Sequence, residues 1–452
     1  MQGRVYFFCA LALFSMVTRG QAMVREDFKR LTDVLFKDYK KDFRPVSNDT
    51  GPTSVDLVFS LFSIVDIDEQ DQRMKTSAML KMTWVDEYLS WDPTNYSNIN
   101  SILVKQSSIW LPDIVVGNTV TTQTYLGYDN LQVRVWSNGT VNWHPMAVFD
   151  TSCDIDVTYY PFDTQVCHIV FISSVSYTSE LRVLFNQSHR IDMDRFTSDS
   201  IWKIIDKSAS AENSENINIK ISLQLKRRST YFVLNIFIPI LLLAMTSPMP
   251  FALPADSGER MSVSVTLLLA FTVYLTIIDN AMPQSSVQLS LLTLYVLLML
   301  GLNALSVLLC VLILRLHHRP SSKPLGKRTS KIILYLQQLM LRAKAKIKST
   351  KVEAKIHQPN KPIVAVEKGK ITVSETTDIS PADDDHSGPS GNASTSSKVC
   401  PITGQQAGET LSVFFFIIFF LYSVGSTFIF FIAVVGGGAR QLIKTHDVIA
   451  LN

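Results

Sequence analysis

The sequence predicts a multidomain α+β membrane protein: an extracellular antiparallel β-sandwich with an N-terminal helix, joined to a four-helix transmembrane bundle. Three observations carry this. Across residues 23–226 no apolar run is long enough to span a bilayer, and short alternating or β-branched segments (VDLVFSLFSIV, LQVRVWS, CHIVFI) are separated by turn signals such as YDN and SNGT. Past Arg228 four apolar stretches follow, at 231–253, 261–278, 289–314 and 411–435, each able as a helix to cross about 30 Å of hydrocarbon. The chain opens with MQGRVYFFCALALFSMVTRGQA, an early Arg4, a short apolar run and small residues near Ala22, the pattern of a secretory signal over residues 1–22.

The exported region, 23–228, begins with helical periodicity over 24–37 and then turns to strands. It is acidic, with 27 Asp plus Glu against 19 Lys plus Arg over residues 23–226. Of five cysteines, Cys9 leaves with the signal, Cys310 sits in an apolar run and Cys400 in a polar low-complexity stretch. Cys153 and Cys167 are left as the pair in the exported region, where one disulfide is expected. Asn48, Asn95, Asn138 and Asn186 each open an Asn-x-Ser/Thr glycosylation pattern in the same region.

Residues 229–315 hold the first three spans. The loop at 316–410 divides in two: residues 315–370 carry 15 Lys plus Arg against Glu353 and Glu367, and an acidic stretch of small residues follows. The basic flank places the loop in the cytoplasm. Within it KIILYLQQLMLRAKAKIK puts Ile332, Ile333, Leu336, Leu339, Ala343 and Ile347 on one face. The favoured reading is a basic amphipathic helix on anionic inner-leaflet lipid; the alternative is a continuation of the bundle. The last span at 411–435 then leaves a tail, 436–452, outside.

The second span is the unusual one, LPADSGERMSVSVTLLLAFTVYLTIIDNAMP. Wound as a helix, Glu259, Ser262, Thr266, Leu269, Val273, Thr276 or Ile277, and Asn280 recur every three to four positions and share a face. Taken alone the stripe fits an ordinary span, but ionisable groups at membrane depth are costly and usually face water or a partner. Repeated around an axis, Asp256 and Glu259 form acidic rings at the cytoplasmic mouth and Asp279 forms one at the outer mouth; such rings concentrate cations. Ser262 and Thr266 offer oxygens, and Leu269 with Val273 make an aliphatic constriction able to close by dewetting. One such helix per subunit requires an oligomer.

The fifteen residues CDIDVTYYPFDTQVC resemble the signature loop of the Cys-loop pentameric ligand-gated ion channels. WVDEYLSWDP, IWLPDIV and LPADSGER are most similar to the cation-selective, nicotinic acetylcholine receptor branch. The resemblance implies a homo- or heteropentamer with an agonist between extracellular domains and a pore lined by the second span, passing monovalent and, as a further expectation, divalent cations. It implies that Glu259 sits in the acidic selectivity ring and Leu269 at the gate. Glu69, Phe162, Asp163, Arg227 and Pro283 then take the positions that couple the two domains.

The aromatic cage of that branch is depleted here. Gly117, Ser174 or Val175, and Met79 stand where aromatic residues are expected, and DKSASAENSENINIK has no aromatic residue and no vicinal cysteines. Met79, Gly117, Arg134, Ser174 and Tyr177 are the candidate pocket residues, and acetylcholine is not expected to be the agonist. An accessory or non-conducting subunit needing partners is the alternative. No nucleotide loop, metal-spaced Cys/His cluster or nucleophile elbow occurs, so no enzyme activity, cofactor, metal or nucleic-acid partner is expected.

Overall fold

The computed structural model describes residues 25–48, 51–185, 190–214, 216–255, 258–283, 289–320, 326, 328–339, 342 and 403–450, with side chains to 443. The expected signal, Asn186, Asp256 and most of the cytoplasmic loop lie outside the described residues. Two compact units divide the chain, Met1–Ala244 with Leu269–Gly301 and Val424–Asn452, and Met245–Leu268 with Leu302–Ser423.

Among the described residues helix α1 (25–36) precedes twelve strands. One sheet runs β10 (Ile191–Asp192), β1 (Thr53–Asp68), β2 (Arg73–Ser90), β6 (Asn138–Trp143), β5 (Gln132–Trp136), β3 (Ser101–Lys105), with β7 (Met146–Ser152) also on β2 and β9 (Leu181–Phe185) also on β1. The second runs β11 (Trp202–Asn213), β12 (Ile217–Arg227), β8 (Thr164–Ser173), β4 (Ile114–Val116). Strict alternation sets the faces: along β2, Met74, Thr76, Ala78, Leu80, Met82 and Trp84 are buried, while Lys75, Met79 and Lys81 point out. The inward faces meet through Phe59 and Phe149 from the first sheet against Phe171 from the second, at 6.3 and 5.3 Å between ring centroids. Trp84 lies edge-on to Trp143 and Trp110.

The sandwich is not wholly antiparallel. Short β9 and β10 both pair parallel to β1. Both fall on one long excursion between β8 and β11, which returns to the first sheet in the direction of β1.

Among the described residues four helices are long and apolar enough to cross a membrane: α2 (Thr230–Ala252), α3 (Glu259–Asp279), α4 (Leu291–His317) and the last, α6 (Gly404–Ala450). Helix α5 (328–339) falls in the basic loop. Its Ile333 is buried with Ala407 of α6, and Gln337 donates to Thr410 at 3.0 Å. Ile332 and Leu339 of the expected apolar face stay exposed. Packing on α6 thus covers part of that face and leaves part exposed. Helix α6 also outruns the expected 411–435 span at both ends, taking in GQQAGETLS and the tail.

Candidate functional site: the stripe of the second span, the base of the sandwich and the pocket faces

Helix α3 begins at Glu259, whose carboxylate stands in the first turn, where the helix dipole favours it. Glu259, Ser262, Thr266, Leu269, Val273, Thr276, Ile277, Asp279 and Asn280 are all exposed on the single chain, whereas Arg260, Ser264, Leu267, Phe271 and Ile278 are buried. The Thr266 hydroxyl donates to the Ser262 carbonyl at 2.8 Å and that of Thr276 to the Thr272 carbonyl at 3.0 Å. Donation back to the helix uses up the hydroxyl proton and leaves oxygen lone pairs outward, the polarity that suits a cation.

Arg260 follows Glu259 in sequence but not in direction. It is 2% exposed, and its guanidinium donates to the Ser412 hydroxyl at 2.9 Å and to the Leu253 carbonyl. The positive charge nearest the acidic end is therefore turned off the exposed stripe. Sequence periodicity contains that placement, since Arg260 is one position off Glu259, but not its partner on α6.

At the base of the sandwich Cys153 and Cys167 form the disulfide, closing a loop that four other segments hold. The Cys153 amide donates to the Gln72 carbonyl in the β1–β2 turn at 2.8 Å, and the Leu291 amide at the start of α4 donates to the Thr158 carbonyl at 3.1 Å. From α6, Gln441 accepts from the Thr164 amide at 3.3 Å and donates to Asp156 at 3.1 Å. Phe162 lies edge-on to Phe237 of α2 at 6.2 Å.

Within this frame Arg227 meets Asp163 through Nε at 2.8 Å and Nη2 at 3.1 Å, and Glu69 through Nη1 at 2.6 Å. The Arg227 and Asp163 side chains are 1% and 0% exposed, against 23% for Glu69. Trp202, Tyr160 and Phe232 surround the guanidinium at 4.2, 4.9 and 5.2 Å from their ring centres. Burial works against the Arg227 charge, but the two carboxylates outweigh it and raise its pKa beyond the ordinary arginine range. Pro283 is buried just past α3.

The candidate pocket residues divide between the sheets. Met79 and Arg134 sit on the outer face of the eight-stranded sheet; Arg134 donates to Ser101 at 3.0 Å and lies over the Trp136 ring. Gly117, Ser174 and Tyr177 belong to the second sheet's side, where Gly117 follows β4 beside Val170 and Ser174 follows β8 beside Asp113, at opposite ends of the β4–β8 ladder; Tyr177 is 66% exposed. A single chain keeps these two sets apart. Gly117 packs close to Ile172: a Cβ there would meet its Cγ2 at 3.0 Å.

Asp113, which motif reading passed over, organises the second set. It accepts from the Ser173 hydroxyl and from the amides of Val175 and Ser176, at 3.1, 2.6 and 3.0 Å. Burial pushes its carboxyl up, but these donors outweigh that and hold it below the usual range. The signal was present in WLPD, read only as a family word. Beside Met79, Lys81 pairs with Asp192 at 2.5 Å, holding that carboxyl at about 2. The region expected to cap the pocket is the β11–β12 hairpin. Asn48, Asn95 and Asn138 are exposed.

A disulfide-closed loop under a sandwich, followed by four apolar helices, defines a class of receptor-channel subunit. Residues 28–229 match the neurotransmitter-gated ion-channel ligand binding domain, and residues 236–430 match the neurotransmitter-gated ion-channel transmembrane region. The chain belongs to this family, the Cys-loop receptors, which are ligand-gated channels and not enzymes.

Within the family it is similar to nicotinic acetylcholine receptor subunits. It is 31% identical to acetylcholine receptor subunit beta-type unc-29 of Caenorhabditis elegans, over 70% of this chain and 63% of that one. It is 34% identical to neuronal acetylcholine receptor subunit beta-3 of Rattus norvegicus, over 68% and 66%, and 31% identical to acetylcholine receptor subunit delta of Xenopus laevis, over 68% and 63%. The matches thus span a little under two thirds of these relatives.

Proposed function

We propose that the chain is a subunit of a pentameric, plasma-membrane, ligand-gated cation channel whose pore is lined by α3 and whose agonist is not acetylcholine. The observation that carries this is the exposed stripe of α3. It has Glu259 and Asp279 at its ends, hydroxyl lone pairs outward and Arg260 turned away, so a ring of such helices is negative at its mouths and attracts cations. Leu269 and Val273, 63% and 51% exposed on the single chain, close that ring by dewetting when the helices approach. Asp256, three residues before Glu259 in the sequence, adds to the cytoplasmic ring, with both chain termini outside the cell and a synaptic setting as part of the same reading.

An agonist site between subunits follows from the division of the pocket residues between two sheets, since a neighbouring copy supplies the missing half. The Arg227 cluster with Phe162 and Pro283 then transmits closure of that site to the spans. Met79, Gly117 and Ser174 give no ring face to a quaternary ammonium, which is why acetylcholine is excluded.

The test is expression of the full chain in oocytes with a panel of transmitters, amines and pH steps. A stimulus-evoked current that reverses with the sodium gradient supports the reading; a micromolar acetylcholine response from this chain alone overturns the agonist part. The second reading, a subunit that conducts only with partners, is favoured by the same sparse pocket, and current on co-expression with a related subunit but not alone selects it.

A further inference from the structure

At the base of the sandwich the β11–β12 register sets Lys203 directly opposite Lys226 and Trp202 opposite Arg227. Trp202 and Arg227 turn inward and are buried; the two lysines are exposed. Like charges directly opposite each other destabilise a strand pair, and neither lysine has an ion-pair partner among the described residues. Arg228 follows on the same strand end. Lys203, Lys226 and Arg228 line a groove of about 660 Å³ whose apolar wall is Ile205, Leu442 and Ile443, and among the described residues no acidic side chain lines it.

The groove's place in the chain gives the occupant. Thr230, two residues past Arg228, opens the first span, and Leu442 lies toward the end of the last spanning helix. The cations therefore stand where lipid headgroups meet the protein, and Ile443, 64% exposed, continues the apolar surface of α6. A soluble anion would use the cations and leave Leu442 and Ile443 bare; a phospholipid uses both.

We propose that this groove binds a membrane phospholipid, its phosphate held by Lys203, Lys226 and Arg228 and an acyl chain laid along Leu442 and Ile443. The inference rests on the reading that α2 and α6 span a bilayer and not on conduction. The anion relieves the Lys203–Lys226 repulsion, so binding weakens as salt screens it.

The full-length protein in nanodiscs carrying phosphatidylglycerol with a photoactivatable acyl chain tests this by peptide mapping. Labelling at Leu442 or Ile443 is expected, several-fold weaker in K203Q/K226Q, retained in K203R/K226R, competed by unlabelled phosphatidylglycerol, and no weaker in inorganic phosphate than in chloride at the same ionic strength. Equal labelling in K203Q/K226Q overturns the proposal, as does a greater loss of labelling to inorganic phosphate than to chloride at matched ionic strength. Should K203Q/K226Q fail to fold, a salt titration of the unmodified protein decides: labelling at Leu442 must fall with salt while labelling at mid-span Leu421 stays level. Labelling at Leu421 without Leu442 defeats this proposal alone, whereas absence of labelling on both α2 and α6 defeats the membrane reading beneath it.

Discussion

Arg227 shows how unequal two partners of one side chain can be. Asp163 is fully buried and bound twice, while Glu69 is partly in water and bound once. Arg227→Met leaves the Asp163 charge buried without its cation and is expected to cost about 3–5 kcal/mol, read as a large drop in melting temperature of the purified protein. Glu69→Gln keeps the buried half and is expected to cost about 1 kcal/mol or less in the same assay. His168 gives a pH dependence of its own. Burial and nearby Lys220 lower its pKa to about 4, and its Nδ1 faces the Ser222 hydroxyl at 2.9 Å. A histidine lowered in the folded state is protonated more readily in the unfolded one, so its contribution is present above the unfolded pKa near 6.5 and is lost as pH falls from there through about 4. His168→Gln is expected to flatten the melting temperature's slope over that window; an unchanged slope contradicts the assignment. At this scale the exposed stripe was legible from periodicity alone. The partners of Arg260, Asp113 and Gln441 were not, because each is met across a long sequence separation.

Helix α6 docks on the disulfide loop through glycine. A Cβ on Gly438 would come 2.5 Å from the Phe162 carbonyl oxygen, and one on Gly437 would run into the Tyr159 ring. A backbone oxygen cannot swing aside and a tyrosine ring can, so Gly438→Ala is expected to destabilise more than Gly437→Ala; the reverse order in thermal melts contradicts this packing. The apolar run that marks the last span in the sequence ends at Val435, where three glycines follow. The helix runs on past that point, and Gly437 and Gly438 allow its close approach to Tyr159 and Phe162. Strand existence was legible from alternation and turn residues, whereas the parallel pairing of β9 and β10 was not, since each is too short to carry a register signal of its own. The disulfide spans a sequence separation of 14, for which loop closure is worth about 3 kcal/mol. Paired Cys153→Ser and Cys167→Ser substitutions are expected to lose that much stability and to lower surface expression, measured by surface biotinylation.

For the whole molecule, architecture and family were legible from the four apolar runs and the fifteen-residue loop, because each is a local pattern of composition or spacing. The proposed pocket was legible only as a depletion: its candidate residues lie on two sheets of one chain, and the proposed site needs a neighbouring copy to join them. The central claim, that α3 lines a cation-selective pore closed at Leu269, can be tested without knowing the agonist. Leu269→Ser makes the constriction polar, so it stays wetted and leaks. The decisive measurement is the reversal potential of that leak in oocytes as external sodium chloride is replaced by an uncharged osmolyte. The account predicts a shift to more negative potentials, reduced when Glu259→Gln is added; a shift to positive potentials, or no leak despite protein at the surface, would contradict it.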